Sequence, residues 1–333
     1  MSRARALSPR RLTLVVAMAA ATMGGAATRP QQPAPTPTRS AATRVDRDEL
    51  MRVVRTLSEP SFEGRRTGTS GNLRARQFIR EAFQQIGLAP ATPEFIQPFP
   101  FTPPQRNRSR DANTSAAPLL EGANVLAVQR GTGGTGRTLV VSAHYDHLGV
   151  VNGMTYPGAD DNASGIAALL AVGRYVHAHP LRHDVILAAF DAEEEGLQGA
   201  KAFVKTPPVP LASIALDVNF DMVSRNDRNE IYAAGTFQNP SLRPIVEEVQ
   251  RRSAVTIRFG HDRPVTRGND DWTLQSDHGV FHQAGIPFLY FGVEDHPDYH
   301  KPTDTADRID STFFGNVAET LLDIVLTIDQ ALP

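Results

Sequence analysis

From about Asp46 onward, apolar positions fall into two alternating patterns. Ala75, Phe78, Ile79, Ala82, Phe83 and Ile86 recur at helical spacing, one apolar face that Gly87 closes. Two short β-rich runs follow, VLAV (125–128) and TLVVSA (138–143). The glycine-rich RGTGGTGR between them reads as a hairpin turn. Ile166, Leu169, Leu170, Gly173 and Val176 predict a helix that starts at Ala163. The pattern then gives a buried strand (185–190), a short helix (about 197–205), a strand (214–220), a helix (about 241–252) and the strand IPFLYF (286–291). A last helix starts near Ser311, read as its N-cap, with Phe314, Val317, Leu321, Ile324, Val325 and Ile328 on one side. Residues 102–118 are polar and proline-containing, which predicts a surface loop.

Strands that are apolar throughout are covered on both faces. Their alternation with helices predicts an α/β fold: one three-layer domain with a mixed, largely parallel central sheet flanked by helices. No internal repeat and no second domain follow from the pattern. Sites in such sheets form beyond the carboxyl ends of the strands.

The amino-terminal segment breaks this pattern. Arg3, Arg5, Arg10 and Arg11 precede LTLVVAMAAATMGGAA (12–27), and the first acid is Asp46. A basic, then apolar, then small-residue order predicts a cleaved signal peptide over 1–27 and export to a periplasm or the extracellular space. The apolar run is short of the ~18–20 residues of a spanning helix, so no stable membrane insertion is expected after cleavage. Residues 28–45, rich in Pro, Thr and Gln, read as a disordered linker, and 46–333 as the folded catalytic domain. Net charge is −2 without a basic patch, which argues against nucleic acid as a partner. There is no cysteine, so a metal site would have to use His, Asp and Glu, and a lipoprotein anchor is not expected.

Those residue types gather where strands end. His144-Tyr145-Asp146-His147 follows TLVVSA, Asp191 and Glu193-Glu194-Glu195 follow VILAAF, and Asp221 follows IALDVNF. Asp160 and Asp161 sit in PGADDNASG, and His300 in DYHKPTDT. One such residue is a cap or turn; five segments of them would repel and desolvate at a cost that a divalent cation removes. Imidazoles with carboxylates suit zinc or a similar ion.

HYDHLG, GADDNASG, AEEEGLQGA, NFDM and YHKPTDT, in this order, resemble the signature segments of the M28 family of co-catalytic zinc aminopeptidases. The resemblance implies two divalent metal ions per chain, zinc in the family's pattern, and a peptide substrate. It assigns His144 and Asp221 to one metal, Glu194 and His300 to the other, and Asp161 to both. It assigns Glu193 as the general base that deprotonates the attacking water, Asp146 as the group that orients His144, and Tyr299 as an oxyanion donor. Glu195 takes a variable position and reads as a solvated bystander; the alternative frame, shifted by one, makes Glu194 the base and Glu195 the ligand. Asp277 and His278 resemble a segment that lines the substrate pocket. A cis Asp161–Asn162 peptide is implied. The remaining histidines, His147 among them, have no motif partner. Carboxypeptidase-like and glutaminyl-cyclase-like enzymes share the fold, and a receptor-like binding domain is the alternative from outside catalysis.

Overall fold

The computed structural model describes residues 43–103, 119–264 and 270–333. The predicted signal peptide, almost all of the predicted linker and most of the 102–118 loop lie outside the described residues. Residues from Ala42 onward cluster as one unit.

Seven helices among the described residues carry the layers: α1 (Arg47–Leu57), α2 (Ser70–Ile86), α3 (Gly165–Ala178), α4 (Gln198–Lys205), α5 (Arg243–Gln250), α6 (His278–Gln283) and α7 (Ser311–Ala331). The strands are β1 (Ala89–Pro90), β2 (Ile96–Phe101), β3 (Leu120–Gln129), β4 (Thr138–His144), β5 (Gly149–Val151), β6 (Met154–Tyr156), β7 (Asp184–Phe190), β8 (Ile214–Phe220), β9 (Glu230–Ala234), β10 (Thr256–Phe259) and β11 (Phe288–Gly292). β5 and β6 form a small separate hairpin, and the rest make one sheet in the order β1-β3-β7-β4-β8-β11-β9-β10, with β2 also on β3.

Helix α1 escaped the periodicity reading. Its start is set by Asp46, whose Oδ1 accepts from the amides of Asp48 and Glu49 at 2.9 and 3.1 Å. Gly87 ends α2 in the left-handed region at φ 93°, as expected of a residue without a Cβ. At α7 the cap is Asp310, which accepts from Thr312 and Phe313, and Ser311 is the first helical residue. Helix α7 is long and apolar enough to cross a membrane by length and composition alone, but 67 % of its apolar stretch is buried inside the domain.

Side chains of the sheet alternate between two apolar layers. Leu139, Val141 and Ala143 of β4 join Val185, Leu187 and Ala189 of β7 against α1, α2, α3, α5 and α7. Val140, Ile186, Ala188 and Phe190 face Phe203 of α4 and Val280 and Phe281 of α6. This is the three-layer α/β arrangement expected.

The glycine-rich segment 130–137 is not a hairpin turn. β7 lies between the two strands it connects, antiparallel to β3 (Val125 opposite Ala189) and parallel to β4 (Val141 opposite Leu187). Every residue of β7 after Asp184 is buried, so the strand needs a neighbour on each edge, and β3 and β4 supply them. β7, β4, β8 and β11 run parallel. Their carboxyl ends therefore share one edge of the sheet.

Candidate metal centre

That edge collects the polar segments. His144 is the last residue of β4, Asp221 follows β8, the acidic run follows β7, and His300 lies in the loop after β11. His144 Nε2 is 3.2 Å from Asp221 Oδ1 and 3.4 Å from Asp161 Oδ1. His300 Nε2 is 3.1 Å from Asp161 Oδ2 and 3.4 Å from Glu194 Oε1. Asp161 thus offers one oxygen to each of two groups. One is His144, Asp161 and Asp221; the other is Asp161, Glu194, His300 and also His147. In each, the donor atoms lie within 4.8 Å of one another. Glu194 Oε1 and both ring nitrogens of His147 are buried without a hydrogen-bond partner. Buried polar atoms are seldom left so, and a cation is what this donor set lacks. The residues fit zinc.

The scaffold around Asp161 is built from distant parts of the chain. The Asp161–Asn162 peptide is cis. Asn162 Nδ2 donates to Phe220 O at 2.9 Å, and its Oδ1 accepts from Gly165 N at 2.9 Å, which ties the loop to the end of β8 and the start of α3. The Asp304 carboxylate accepts from the amides of Asp160 and Asp161 at 3.0 and 3.2 Å. Arg65, fully buried, donates to the carbonyls of Leu57, Tyr145 and Gly158 at 2.8 Å each and to Pro157 at 2.6 Å. Burial pushes its pKa down to about 10, against the pull of Asp161 and Asp304. Arg65→Ala is expected to cost about 3–5 kcal/mol of stability, because it leaves those carbonyls unpaired in the interior. Chemical denaturation measures this, and a loss below about 1 kcal/mol would remove Arg65 as the organiser of this loop. Sequence reasoning missed both residues. Asp304 lies in the quoted PTDT segment, whereas nothing local marks Arg65.

The acidic run divides by direction. Asp191 points into the interior and accepts from Thr67 Oγ1, Asn72 Nδ2 and Ala123 N. Ala192, at φ 57°, turns the chain. The amides of Glu193 and Glu194 donate to the two carboxylate oxygens of Asp146 at 3.0 and 3.3 Å. Asp146 meets His144 Nδ1 through its backbone carbonyl at 3.2 Å, with its carboxylate oxygen at 3.7 Å. Its carboxylate therefore holds the backbone of the acidic pair more closely than it holds the ring. Glu195 is no solvated bystander: it is buried and pairs with Arg66 at 3.0 Å.

The two groups open onto a cleft of about 810 Å³ whose wall includes Glu193, Tyr299, Leu274 and Gln275. Tyr299 stacks on the His300 ring at 3.9 Å. Asp277 and His278 do not line the cleft. Both are fully buried, and His278 Nε2 lies 2.9 Å from Trp272 O with its ring against Phe288. They reach a substrate only through the side chains above them.

Burial and neighbouring charge set the protonation states. Glu193 is raised well above the usual carboxylate range by burial, with Glu194, Asp277 and Asp221 adding to it. Burial also pushes Asp277 up to about 8, Asp146 up to about 6 and His278 down to about 3. For Asp161 burial acts upward, but His147, His144 and His300 outweigh it and hold the carboxyl well below its ordinary value. Glu194 comes down to about 2 for the same reason, with His147 and His300 beside it. Burial acts downward on His300, yet Asp161 and Glu194 bring it up to about 10. Below that pH the metal-free ring holds a proton that a cation must displace. Zinc uptake is therefore expected to release at least one proton, and affinity to fall about tenfold per pH unit per proton as pH drops. Calorimetry in buffers of different ionisation heat checks this; uptake without proton release would contradict it.

Comparison with known proteins places this geometry. The sequence pattern of Peptidase family M28 matches residues 124–325, which contain both groups. The chain is 29% identical over 231 residues to a probable lipoprotein aminopeptidase, LpqL, of Mycobacterium tuberculosis, covering 61% of this chain and 44% of that protein. It is 33% identical over 178 residues to aminopeptidase YwaD of Bacillus subtilis, covering 51% and 36%. The chain thus spans less than half the length of these two relatives. Of solved structures, an aminopeptidase from Aneurinibacillus sp. strain AM-1 matches with a TM-score of 0.65 at 17% identity, over 85% of this chain and 93% of that one. A glutaminyl cyclase of Porphyromonas gingivalis matches with a TM-score of 0.66 at 19% identity, over 85% and 99%. At those identities the structures share the fold. With the family pattern matched from β3 to near the end of α7, and with both His and carboxylate groups inside it, the chain belongs to peptidase family M28.

Proposed function

We propose that the chain is an exported, zinc-dependent aminopeptidase that binds two divalent cations and removes amino-terminal residues from peptides. The observation that carries this is the two-sided Asp161 carboxylate, one oxygen in each His and carboxylate group, with Glu193 on the adjoining cleft wall. His144 and Asp221 would hold one cation, Glu194 and His300 the other, and Asp161 would contribute to both. Bound zinc supplies Lewis-acid polarisation of the scissile carbonyl and a water acidified toward neutral pH. Glu193 takes the proton of the attacking water on a carboxylate oxygen and delivers it to the leaving amine. Burial raises its pKa, which makes it a stronger proton acceptor than an ordinary carboxylate. Asp146 accepts from the Glu193 and Glu194 amides, and Tyr299, on the cleft wall, donates to the developing oxyanion.

The aminopeptidases among its sequence relatives support this over the cyclase reading, which rests on fold alone. Aminoacyl p-nitroanilides, with N-acetylated controls, test it. Hydrolysis of the free-amine substrates alone, lost on chelation and restored by zinc, is expected. No hydrolysis by the zinc-loaded protein overturns it. Ammonia release from an amino-terminal glutaminyl peptide without peptide cleavage would establish the cyclase instead.

A further inference from the structure

The chain leaving β4 carries two histidines, and they point to different groups. His144 faces Asp221. His147, three residues on, faces Glu194 and His300: its Nδ1 is 2.9 Å from Glu194 Oε1 and 3.7 Å from Asp161 Oδ2. The ring is buried and meets His300 edge-on at 5.7 Å. Neither nitrogen has a hydrogen-bond partner, and neither does Glu194 Oε1, although the two atoms are close. The contact has the distance of a hydrogen bond without its direction. One donor atom from each of His147, Glu194, Asp161 and His300 lies within 4.8 Å of the others. Packing fixes the ring: a Cβ on Gly158, which sits at φ 56°, would lie 2.6 Å from it.

We propose that His147 is a fourth protein ligand in the Glu194–His300 group. This rests on the two-cation reading above and makes the two sites unequal. His147, Asp161, Glu194 and His300 would supply four protein ligands, the number of a closed site that holds its metal tightly. His144, Asp161 and Asp221 supply three ligands and keep a position open to the cleft, the catalytic kind. The first zinc to load is then the one beside His147, and limiting chelator removes the one beside His144 first.

X-ray absorption on the unaltered protein stripped of metal and given one equivalent of zinc reads the ligands directly. Two imidazoles per zinc are expected; one imidazole overturns the proposal. Competition with a chromophoric chelator gives the second readout. His147→Ala is expected to weaken the tighter step by more than about 100-fold and leave the weaker step unchanged, because loss of an outer-shell partner costs only about 10–100-fold. A change within that smaller range places His147 outside the coordination shell and overturns the proposal. If the variant does not fold, the imidazole count on the unaltered protein decides. Unaltered protein that binds no zinc overturns the two-cation reading together with this one. Two zincs with one imidazole each overturn this one alone.

Discussion

Glu193→Gln is expected to lower turnover of free-amine substrates by about 10²–10⁴-fold while zinc content stays at the unaltered level. Glutamine keeps the shape of the side chain and its backbone amide keeps the bond to Asp146 Oδ1, so the loop should not move. What is lost is the proton acceptor. Glu193 lies at the cleft wall, raised well above an ordinary carboxyl by burial and by Glu194, Asp277 and Asp221. The loss in the variant should appear in kcat with KM nearly unchanged, since the group acts on the reacting water and leaving amine. Steady-state kinetics beside zinc analysis checks both parts. Turnover within tenfold of the unaltered protein would remove Glu193 as the base.

Asp161→Ala is expected to empty both sites, where Asp221→Ala should empty only one. The contrast follows from geometry. Asp161 has one oxygen toward His144 and the other toward His300, whereas the Asp221 carboxylate stands in the His144 group only. Alanine takes a donor from both sets, and each should lose more than the ~10–100-fold that an outer-shell change costs. Zinc content after desalting, set against protein concentration, reads the result. Asp161→Ala with full zinc would refute the shared carboxylate, and Asp221→Ala with none would show that the two groups do not bind independently.

The positions of the central strands β3, β4, β7, β8 and β11, and of the site along the chain, were legible from pattern, whereas the short strands β1, β2, β5, β6, β9 and β10 were not. The run VILAAF is apolar at every position, and only a strand covered on both faces needs that. Once strands and helices alternate, the carboxyl ends become the place for a site, and His144, Asp161, Glu194, Asp221 and His300 gather there. Gly87 as a helix stop was equally local, because a left-handed residue is a property of one position. Short-range signals also misled. RGTGGTGR looks like a turn between two strands, and it connects two strands, but pairing depends on what fits between them. β7 does, and it comes fifty residues later.

What the sequence by itself determined is which residues are buried in sheet and helix, and which chemical types stand at the strand ends. Periodicity carries that information, since it records which face of an element meets water. Tertiary structure alone decided which charges are paired and which way a side chain points. Glu195 pairs with Arg66 from 129 residues away, Asp304 holds the loop of Asp160 and Asp161, and Arg65 closes on carbonyls from three separate segments. His147 shows no motif in one dimension, yet it is aimed at Glu194 because the chain turns after β4 and Gly158 packs against the ring. Electrostatic partners act through space at a few ångströms and leave no period along the chain, so only the fold reveals them.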